Sequence, residues 1–158
     1  MNNTNYVLSV LKKDEKIISV AKVTKWILLS PFLGFVISLF LTIVFFQYTI
    51  SNQELNIFLM FGPIFLLGSI KQLVGSFIYI LTTEMVLTSN RIIYKTGLIQ
   101  RDTIEIPRNQ IESINLKQTI LGRIFKFGDI DVIGTGGTNQ YLKSIANVIS
   151  FRKSISGI

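Results

Sequence analysis

The sequence contains no cysteine and no histidine among its 158 residues. The absence of cysteine excludes disulfide frameworks, thiolate nucleophiles and zinc–cysteine sites. The absence of histidine removes the usual general base and the commonest metal ligand. Charge is scarce as well, because 16% of the residues are charged, against about 25% in a typical soluble domain. We therefore predict a protein that is not an enzyme and that needs no metal and no other cofactor.

Lysine and arginine are absent between Trp26 and Ile70, although the whole chain carries a formal charge of +7. The uncharged run 26–46 is long enough for a helix to cross a hydrocarbon core of ~30 Å. A second apolar run, about 55–78, predicts a second crossing. The polar stretch before the first run argues against a cleaved signal peptide, and the lack of a polar face argues against a buried soluble hairpin. The sequence thus predicts a transmembrane helical hairpin over 26–80.

Positive charge flanks this predicted hairpin on both sides, whereas its connecting loop carries only Glu54. The positive-inside rule therefore predicts a multi-pass protein of the cell (plasma) membrane with both termini in the cytoplasm. Residues 1–25 form a basic cytoplasmic segment in this prediction. Trp26 and Tyr48 are predicted to lie at the membrane interface, and Lys71 is predicted to reach the interface from a helix end.

Small residues recur at regular spacing on both predicted helices. They are Ser30, Gly34, Ser38 and Thr42 on the first helix, and Gly62, Ser69 and Ser76 on the second. Such stripes let helix backbones approach closely in lipid. We expect them to pack the two helices against each other, and the alternatives are the seam of a homo-oligomer or a ligand path.

After Ile80, short β-prone runs alternate with glycine, asparagine, aspartate and proline, which is typical of a small antiparallel sheet. Ser89-Asn90 and Thr96-Gly97 fit tight turns, and Gly97 would supply a positive φ. Six strands are predicted, over 84–88, 91–95, 98–106, 111–116, 130–134 and 139–142.

Two helices complete the predicted domain. Apolar residues at helical spacing within 118–127 predict a short helix that ends at Gly128. The tail predicts a closing amphipathic helix with Asn147 as its N-cap.

Two further motifs contain residue types that could carry chemistry. The glycine cluster 134–138 lacks the lysine of a phosphate-binding loop, so a hairpin turn is the better interpretation. Asp129 and Asp131 lie on one strand face and could share a cation or act as an acid and base pair. Two carboxylates without a third oxygen-rich segment are weak evidence for such a site, so we predict solvated strand residues and no metal.

Part of the chain resembles a known family, the membrane-associated bacterial pleckstrin-homology (PH) domain proteins, YdbS-like. The resemblance is carried by YILTTEMVLTSNRIIYKTGLI and IPRNQIESINLKQTILGRIFKFGDIDVIGTGG. Thr88 and Arg91 match a threonine-x-x-arginine step before the turn at Gly97, while Pro107 and Gly128 match a strand end and a glycine of the family. We interpret Thr88, Gly97, Pro107 and Gly128 as fold residues.

The resemblance implies an α+β membrane protein. A two-helix transmembrane hairpin would be followed, over 82–158, by a small PH-like antiparallel β-barrel or sandwich with a C-terminal helix. This fold implies a non-catalytic, membrane-anchored module that binds a protein or peptide partner, or anionic lipid headgroups, at the cytoplasmic membrane face.

The predicted β-domain carries ten basic and six acidic residues from Gln72 onward. This excess favours an anionic surface, although the positive-inside bias alone would produce it as well. Arg91, Lys95 and Arg101 are the predicted contact residues, because the first hairpins would place them together at one end of the sheet. No nucleic-acid partner is expected, since basic helices and aromatic platforms are absent. The alternatives are an immunity protein against a membrane-active bacteriocin and a lipid-modifying enzyme, for which no site is found.

Overall fold

The computed structural model describes residues 5–52, 58–98 and 100–157. The chain divides into two compact units, which we name the β-unit, Met1–Thr24 with Tyr79–Ile158, and the helical unit, Lys25–Ile78. The β-unit is therefore assembled from two separate stretches of sequence.

The first sheet of the β-unit has four antiparallel strands in sequential order. They are β1 (Ile17–Ala21), β2 (Glu84–Thr88), β3 (Arg91–Thr96) and β4 (Asp102–Pro107). Met85 and Leu87 face the main core, whereas Val86 and Ile93 face the opposite way and pack with Val7 of helix α1, Asn5–Val10. Every residue of β2 is buried because this strand is covered on both faces.

The second sheet has three antiparallel strands, β5 (Ile111–Lys117), β6 (Phe127–Gly134) and β7 (Asn139–Ala146). Burial alternates strictly along β6, so that Ile130 and Val132 are fully buried while their neighbours are partly exposed, as a half-buried strand requires. Helix α5 (Val148–Ser156) contributes Val148, Phe151 and Ile155 to the same core. Its hydrophobic face closes the sandwich.

The helical unit is inserted between β1 and β2. Ala21 pairs with Met85 across these two strands, and Val23 forms a single bridge with Ile145 of β7. The chain therefore leaves and re-enters the β-unit at neighbouring strands. This corrects the prediction that residues 1–25 are separate from a β-domain over 82–158. The β-prone run Ile17–Ala21 was hidden by the lysines around it, and it pairs because the edge of β2 offers unpaired backbone groups.

Several predicted boundaries also change. The strand predicted over 98–106 begins at Asp102, β6 begins at Phe127, and β7 continues to Ala146. The turns at Ser89-Asn90 and within 134–138 are confirmed, since β3 follows β2 after two residues and Gly136 has a φ of 83°. Asn147 occupies the N-cap position of α5, but its φ is 51° and its side chain makes no capping hydrogen bond.

Gly128 does not end a helix. The short helix α4 spans Ile120–Ile124, and Lys126, with a φ of 56°, adopts the left-handed conformation after it. Gly128 lies inside β6, where an added Cβ would lie 2.6 Å from Gln118 Cγ and 2.8 Å from the Lys117 carbonyl oxygen. Its fold role is therefore close packing rather than helix termination.

The helical unit consists of a 3₁₀ turn, Lys25–Leu28, and two long helices, α2 (Leu29–Asn52) and α3 (Phe58–Thr82). By length and composition, Lys25–Ser51 and Phe61–Thr82 could each cross a membrane. Ser38 and Ser69 place their hydroxyl oxygens 3.2 Å apart between the helices, and an added Cβ at Gly62 would lie 2.6 Å from Thr42 Oγ1. These contacts agree with the interpretation that the small residues pack the two helices together.

Candidate binding surface

Helix α4 connects β5 to β6 and turns its only buried residue, Gly122, inward. Thr119 caps the helix, because its Oγ1 accepts a hydrogen bond from the Gly122 backbone N–H at 3.1 Å. An added Cβ at Gly122 would lie 2.6 Å from the Phe127 carbonyl oxygen, and Gln118 Nε2 donates to that oxygen at 2.9 Å. Since a glycine occupies the inward side, the apolar side chains of α4 point outward.

Four large apolar side chains form the outward side of this segment, which we name the α4 surface. Their exposed fractions are 81% for Ile120, 51% for Leu121, 64% for Ile124 and 41% for Phe125. Ile149 of α5 is also exposed. Each Å² of apolar surface left in water forgoes about 25 cal/mol of stabilisation, and clustered exposed apolar residues of this kind mark binding sites.

A basic cleft adjoins the α4 surface. Arg123 and Lys126 line a cavity of about 600 Å³ together with Gln118 and the first turn of α5. Both cationic side chains are exposed, and neither forms an ion pair within residues 5–52, 58–98 and 100–157. The surface thus combines an apolar centre with cations available to an anionic ligand.

Backbone hydrogen bonds connect this surface to the place where the chain leaves the β-unit. Asn147 N donates to the Lys126 carbonyl at 2.7 Å, and Ala146 N donates to the Lys22 carbonyl at 2.8 Å. Two strand spacings, about 10 Å in all, therefore separate Lys126, which follows α4, from Lys22. Lys22 lies three residues before the first candidate span.

Arg91 belongs to a buried polar network rather than to an open surface. Its guanidinium donates to Glu15 Oε2 at 3.0 Å and to Glu105 Oε2 at 2.6 Å, and the Thr88 hydroxyl donates to Glu15 Oε1 at 2.6 Å. Arg91 Nη2 also donates to the Val10 carbonyl at 3.1 Å. The network attaches the segment between α1 and β1 to the first sheet, and Thr88 takes part in it.

Opposing effects act on the ionisation of the buried partner, Glu15. Burial raises its pKa. Hydrogen bonds from Thr88, Arg91 and the Lys12 backbone, together with the positive charge of Arg91, lower the pKa by more than burial raises it. The net result is a pKa below the ordinary value of 4.5. Glu15 therefore stays ionised and paired at neutral pH.

Lys95 and Arg101 are not brought together with Arg91. Arg91 begins β3 and Lys95 lies four residues later, about 13 Å along the strand. Lys95 Nζ instead lies 3.4 Å from Glu84 Oε1, and both side chains are largely buried. Arg101 is exposed in the loop before β4. The structure thus corrects the expected clustering of these three residues at one end of the sheet.

The other predicted fold residues occupy defined positions. Gly97 has a φ of 94°, and an added Cβ would collide with the carbonyl oxygen of Gln100, so this turn requires glycine. Pro107 ends β4 opposite Arg91. Within the helical unit, Trp26 and Tyr48 are exposed near the two ends of the first candidate span. Lys71 is not at a helix end, because α3 continues to Thr82.

The two aspartates of β6 lie in different surroundings. Asp129 accepts hydrogen bonds from the Tyr141 hydroxyl and from the Ser144 backbone N–H, both at 2.7 Å. The first bond is the main reason that the pKa of Tyr141 is raised to about 12. Asp131 Oδ1 is buried with no hydrogen-bond partner in the part of the chain that the structure describes. In the same part of the chain, no three acidic side chains lie close enough to hold a metal ion.

The sequence predicted the helix of the α4 surface but not the exposure of its apolar side chains. Apolar residues at helical spacing predict a buried stripe. The exposed stripe of α4 has the same spacing, so the sequence pattern does not distinguish the two. The available signal was Gly122 inside the short helix, since glycine in a helix often marks close backbone packing.

The family comparison agrees with the fold described above. The family model described as "Bacterial PH domain" matches residues 6–157. Among solved structures, the chain is similar to a DUF1696-family protein with a pleckstrin-homology domain from Shewanella loihica, with 9% identity, a TM-score of 0.47, and coverage of 98% of this chain and 90% of that one. No curated protein gives a significant match. The family match covers both stretches of the β-unit and the inserted helices, and the chain therefore belongs to the bacterial PH domain family, whose members are generally non-catalytic binding modules.

Proposed function

We propose that this protein is a membrane-anchored PH module whose α4 surface binds the anionic face of the cytoplasmic membrane leaflet. The hairpin α2–α3 crosses the plasma membrane, both termini remain in the cytoplasm, and the β-unit carries out binding without catalysis. The observation that carries the proposal is the exposure of four large apolar side chains beside the exposed cations Arg123 and Lys126.

The inserted hairpin supports the anchoring. Its outward side chains are apolar, as Phe40 and Phe65 illustrate with exposed fractions of 65% and 66%, whereas Ser38 is buried between the helices. This arrangement suits lipid rather than water. Because β1 and β2 pair at Ala21 and Met85, the hairpin starts and ends at neighbouring strands. Two crossings then return the chain to one side, where the basic residues also lie.

The chemistry of the α4 surface favours a lipid ligand. Interfacial membrane segments combine an apolar face that enters the acyl boundary with lysine and arginine that contact headgroups. Each such cation contributes about 1 kcal/mol near an anionic leaflet. Within the β-unit, the hydrogen-bonded path through Ala146 leads from Lys126 to Lys22 over about 10 Å, and Lys22 lies three residues before the first candidate span in sequence. A tethered surface meets the bilayer at high effective concentration.

An environment-sensitive fluorophore tests this function. The chain lacks cysteine, so Ile120→Cys offers a single labelling site in the full-length protein. In vesicles containing phosphatidylglycerol, the label at residue 120 should shift to shorter emission wavelength, because it enters the apolar boundary. The matched label at Asn139→Cys, exposed beside the β6–β7 turn, should not shift.

Charge reversal separates the lipid contact from anchoring. Arg123→Glu with Lys126→Glu should abolish the shift at residue 120 while the chain remains in the membrane fraction. An unshifted label at residue 120 in anionic vesicles would refute lipid binding by the α4 surface. A shift that appears only when another protein is added would assign the surface to a protein partner instead.

A further inference from the structure

Lys71 lies well inside the second candidate span, Phe61–Thr82. Helix α3 begins at Phe58, thirteen residues before Lys71, and the helical unit ends at Ile78, seven residues after it. At 1.5 Å per residue, the nearer of these two ends is about 10 Å away along the helix. Under the proposed anchoring, Lys71 therefore lies inside the hydrocarbon core, where a charge is costly.

The packing of the two helices supports this depth. Ser69, two residues before Lys71, makes its hydroxyl contact with Ser38 of α2. Ser38 lies twelve residues beyond Trp26, inside the uncharged run 26–46. If the membrane surface were at the level of Lys71, the apolar residues of α2 between Trp26 and about Val36 would lie in water. Snorkelling from a helix end, as predicted from sequence, does not fit this register.

The side chain of Lys71 leaves α3 on the face opposite to α2. Ser69 and Gly62 mark the face that contacts α2, and residues two apart in a helix differ by about 200°. Gly68 and Gly75 share the face of Lys71, at spacings of three and four residues. An added Cβ at either glycine meets no atom within 4 Å. Lys71 is exposed and has no ion-pair partner in the described part of the chain.

We infer that the face Gly68–Lys71–Gly75 receives a membrane helix of another protein that carries an aspartate or glutamate near its midpoint. This inference rests on the proposed membrane anchoring. The two glycines let a second backbone approach closely, and a carboxylate would neutralise the lysine. A second copy of this chain does not meet the requirement, since the only acidic residue between Trp26 and Ile80 in the sequence is Glu54, which lies outside both candidate spans.

A synthetic helix serves as the test ligand. The full-length protein, labelled through Asn139→Cys, is reconstituted in vesicles with a leucine–alanine transmembrane peptide that has one central glutamate. The control peptide has glutamine at that position. We expect energy transfer between the labelled protein and the peptide. It should reach half-saturation at an about tenfold lower mole fraction of the glutamate peptide than of the glutamine peptide, which corresponds to a difference of about 1.4 kcal/mol in binding free energy.

Variants of Lys71 complete the experiment. Lys71→Met should remove the preference for glutamate, and Lys71→Arg should retain it. Gly68→Leu should weaken binding of the glutamate peptide by filling the face. Equal binding of both peptides by the unaltered protein would overturn the inference. Transfer between two labelled copies that depends on Lys71 would also overturn it, in favour of a homo-oligomer.

A topology measurement distinguishes the two proposals. Ser51→Cys, at the end of α2, should react with a membrane-impermeant maleimide from outside intact cells, while Asn139→Cys should not. If both cysteines react alike, the membrane anchoring and the inference fail together. If the topology is as proposed but the glutamate preference is absent, only the inference fails.

Discussion

The β-unit and the helical unit bury opposite kinds of side chain. In the β-unit, Leu142 and Ile145 are fully buried. In the helical unit, Phe40 and Phe65 are mostly exposed, while the Ser38 side chain is enclosed. Apolar groups leave water when they can, so an exposed apolar surface points to lipid or protein as the medium. The α4 surface belongs to the β-unit in sequence and topology, yet it follows the pattern of the helical unit.

The two units also differ in what surrounds their charged side chains. Arg91 of the β-unit is surrounded by Glu15, Glu105 and the Val10 carbonyl. Lys71 of the helical unit has glycines beside it on its own face instead. Removal of one member of a buried pair leaves an uncompensated charge and destabilises the fold. In the proposed anchoring, the counter-charge of Lys71 comes from another protein.

The largest effect is expected from Arg91→Ala, which removes the internal partner of a buried charge. Glu15, with a side-chain exposure of 0%, would keep only neutral hydrogen-bond donors, so the β-unit should lose about 3–5 kcal/mol of unfolding free energy. Urea unfolding of the full-length protein in detergent measures this loss. Glu112→Ala, at an exposed position of β5, is the matched control and should change stability by less than about 0.5 kcal/mol.

The hydrogen-bond network around Glu15 also predicts that the free energy of unfolding depends on pH. The pKa of Glu15 is lowered by folding, so its contribution to stability is complete above the unfolded value of 4.5 and is lost as pH falls through the lower folded value. Unfolding curves of the unaltered protein should therefore move to lower urea concentration below about pH 4.5. Arg91→Ala should flatten this dependence, and an unchanged pH profile in that variant would contradict the assignment.

The next prediction compares the loss of stability from truncating a core side chain with the loss from truncating a side chain of the α4 surface. Leu142→Ala removes a fully buried side chain and should cost about 2–5 kcal/mol. Ile120→Ala, at a side chain that is 81% exposed, should cost less than about 0.5 kcal/mol in detergent. A large loss in the second variant would mean that α4 is part of the core and would break the comparison.

A smaller effect is expected at the β3–β4 turn. Gly97→Ala should lose about 1–3 kcal/mol, because alanine at a φ of 94° is strained and its Cβ would collide with Gln100. Gly136→Ala has a similar φ of 83° but meets no atom within 4 Å. Thermal unfolding of both variants should show the smaller shift for Gly136→Ala, and equal shifts would rule out the collision.

The smallest effect is expected for the hydroxyl contact inside the helical unit. Ser69→Ala should reduce helix association by only about 0.6 kcal/mol, which is the average of interhelical hydrogen bonds in membranes. Because the chain has no cysteine, a Ser38→Cys, Ser69→Cys pair can report the contact directly through disulfide formation. Absence of that disulfide in oxidised vesicles would contradict the packing of α2 on α3.

Sequence patterns predicted the parts of the fold that depend on local chemistry. Both long apolar helices, the exact span of β2 and the turns at Ser89-Asn90 and Gly97 follow from residue type and spacing. The N-terminal strand was missed because five residues among lysines carry a weak pattern. The expected clustering of the contact residues was wrong, since Arg91 and Lys95 lie four residues apart on one strand and pair with Glu15 and Glu84, which no local pattern reveals.

The sequence by itself determined that the chain has two apolar helices, a basic β-rich remainder and no thiol or imidazole chemistry. These properties depend on composition and on periodicity along the chain. Only the tertiary structure decided that the hairpin is inserted between β1 and β2, that α4 turns its apolar side chains outward, and that Lys71 faces away from α2. Those outcomes depend on strand pairing and on helix packing, which join residues far apart in sequence and are therefore not encoded in any short segment.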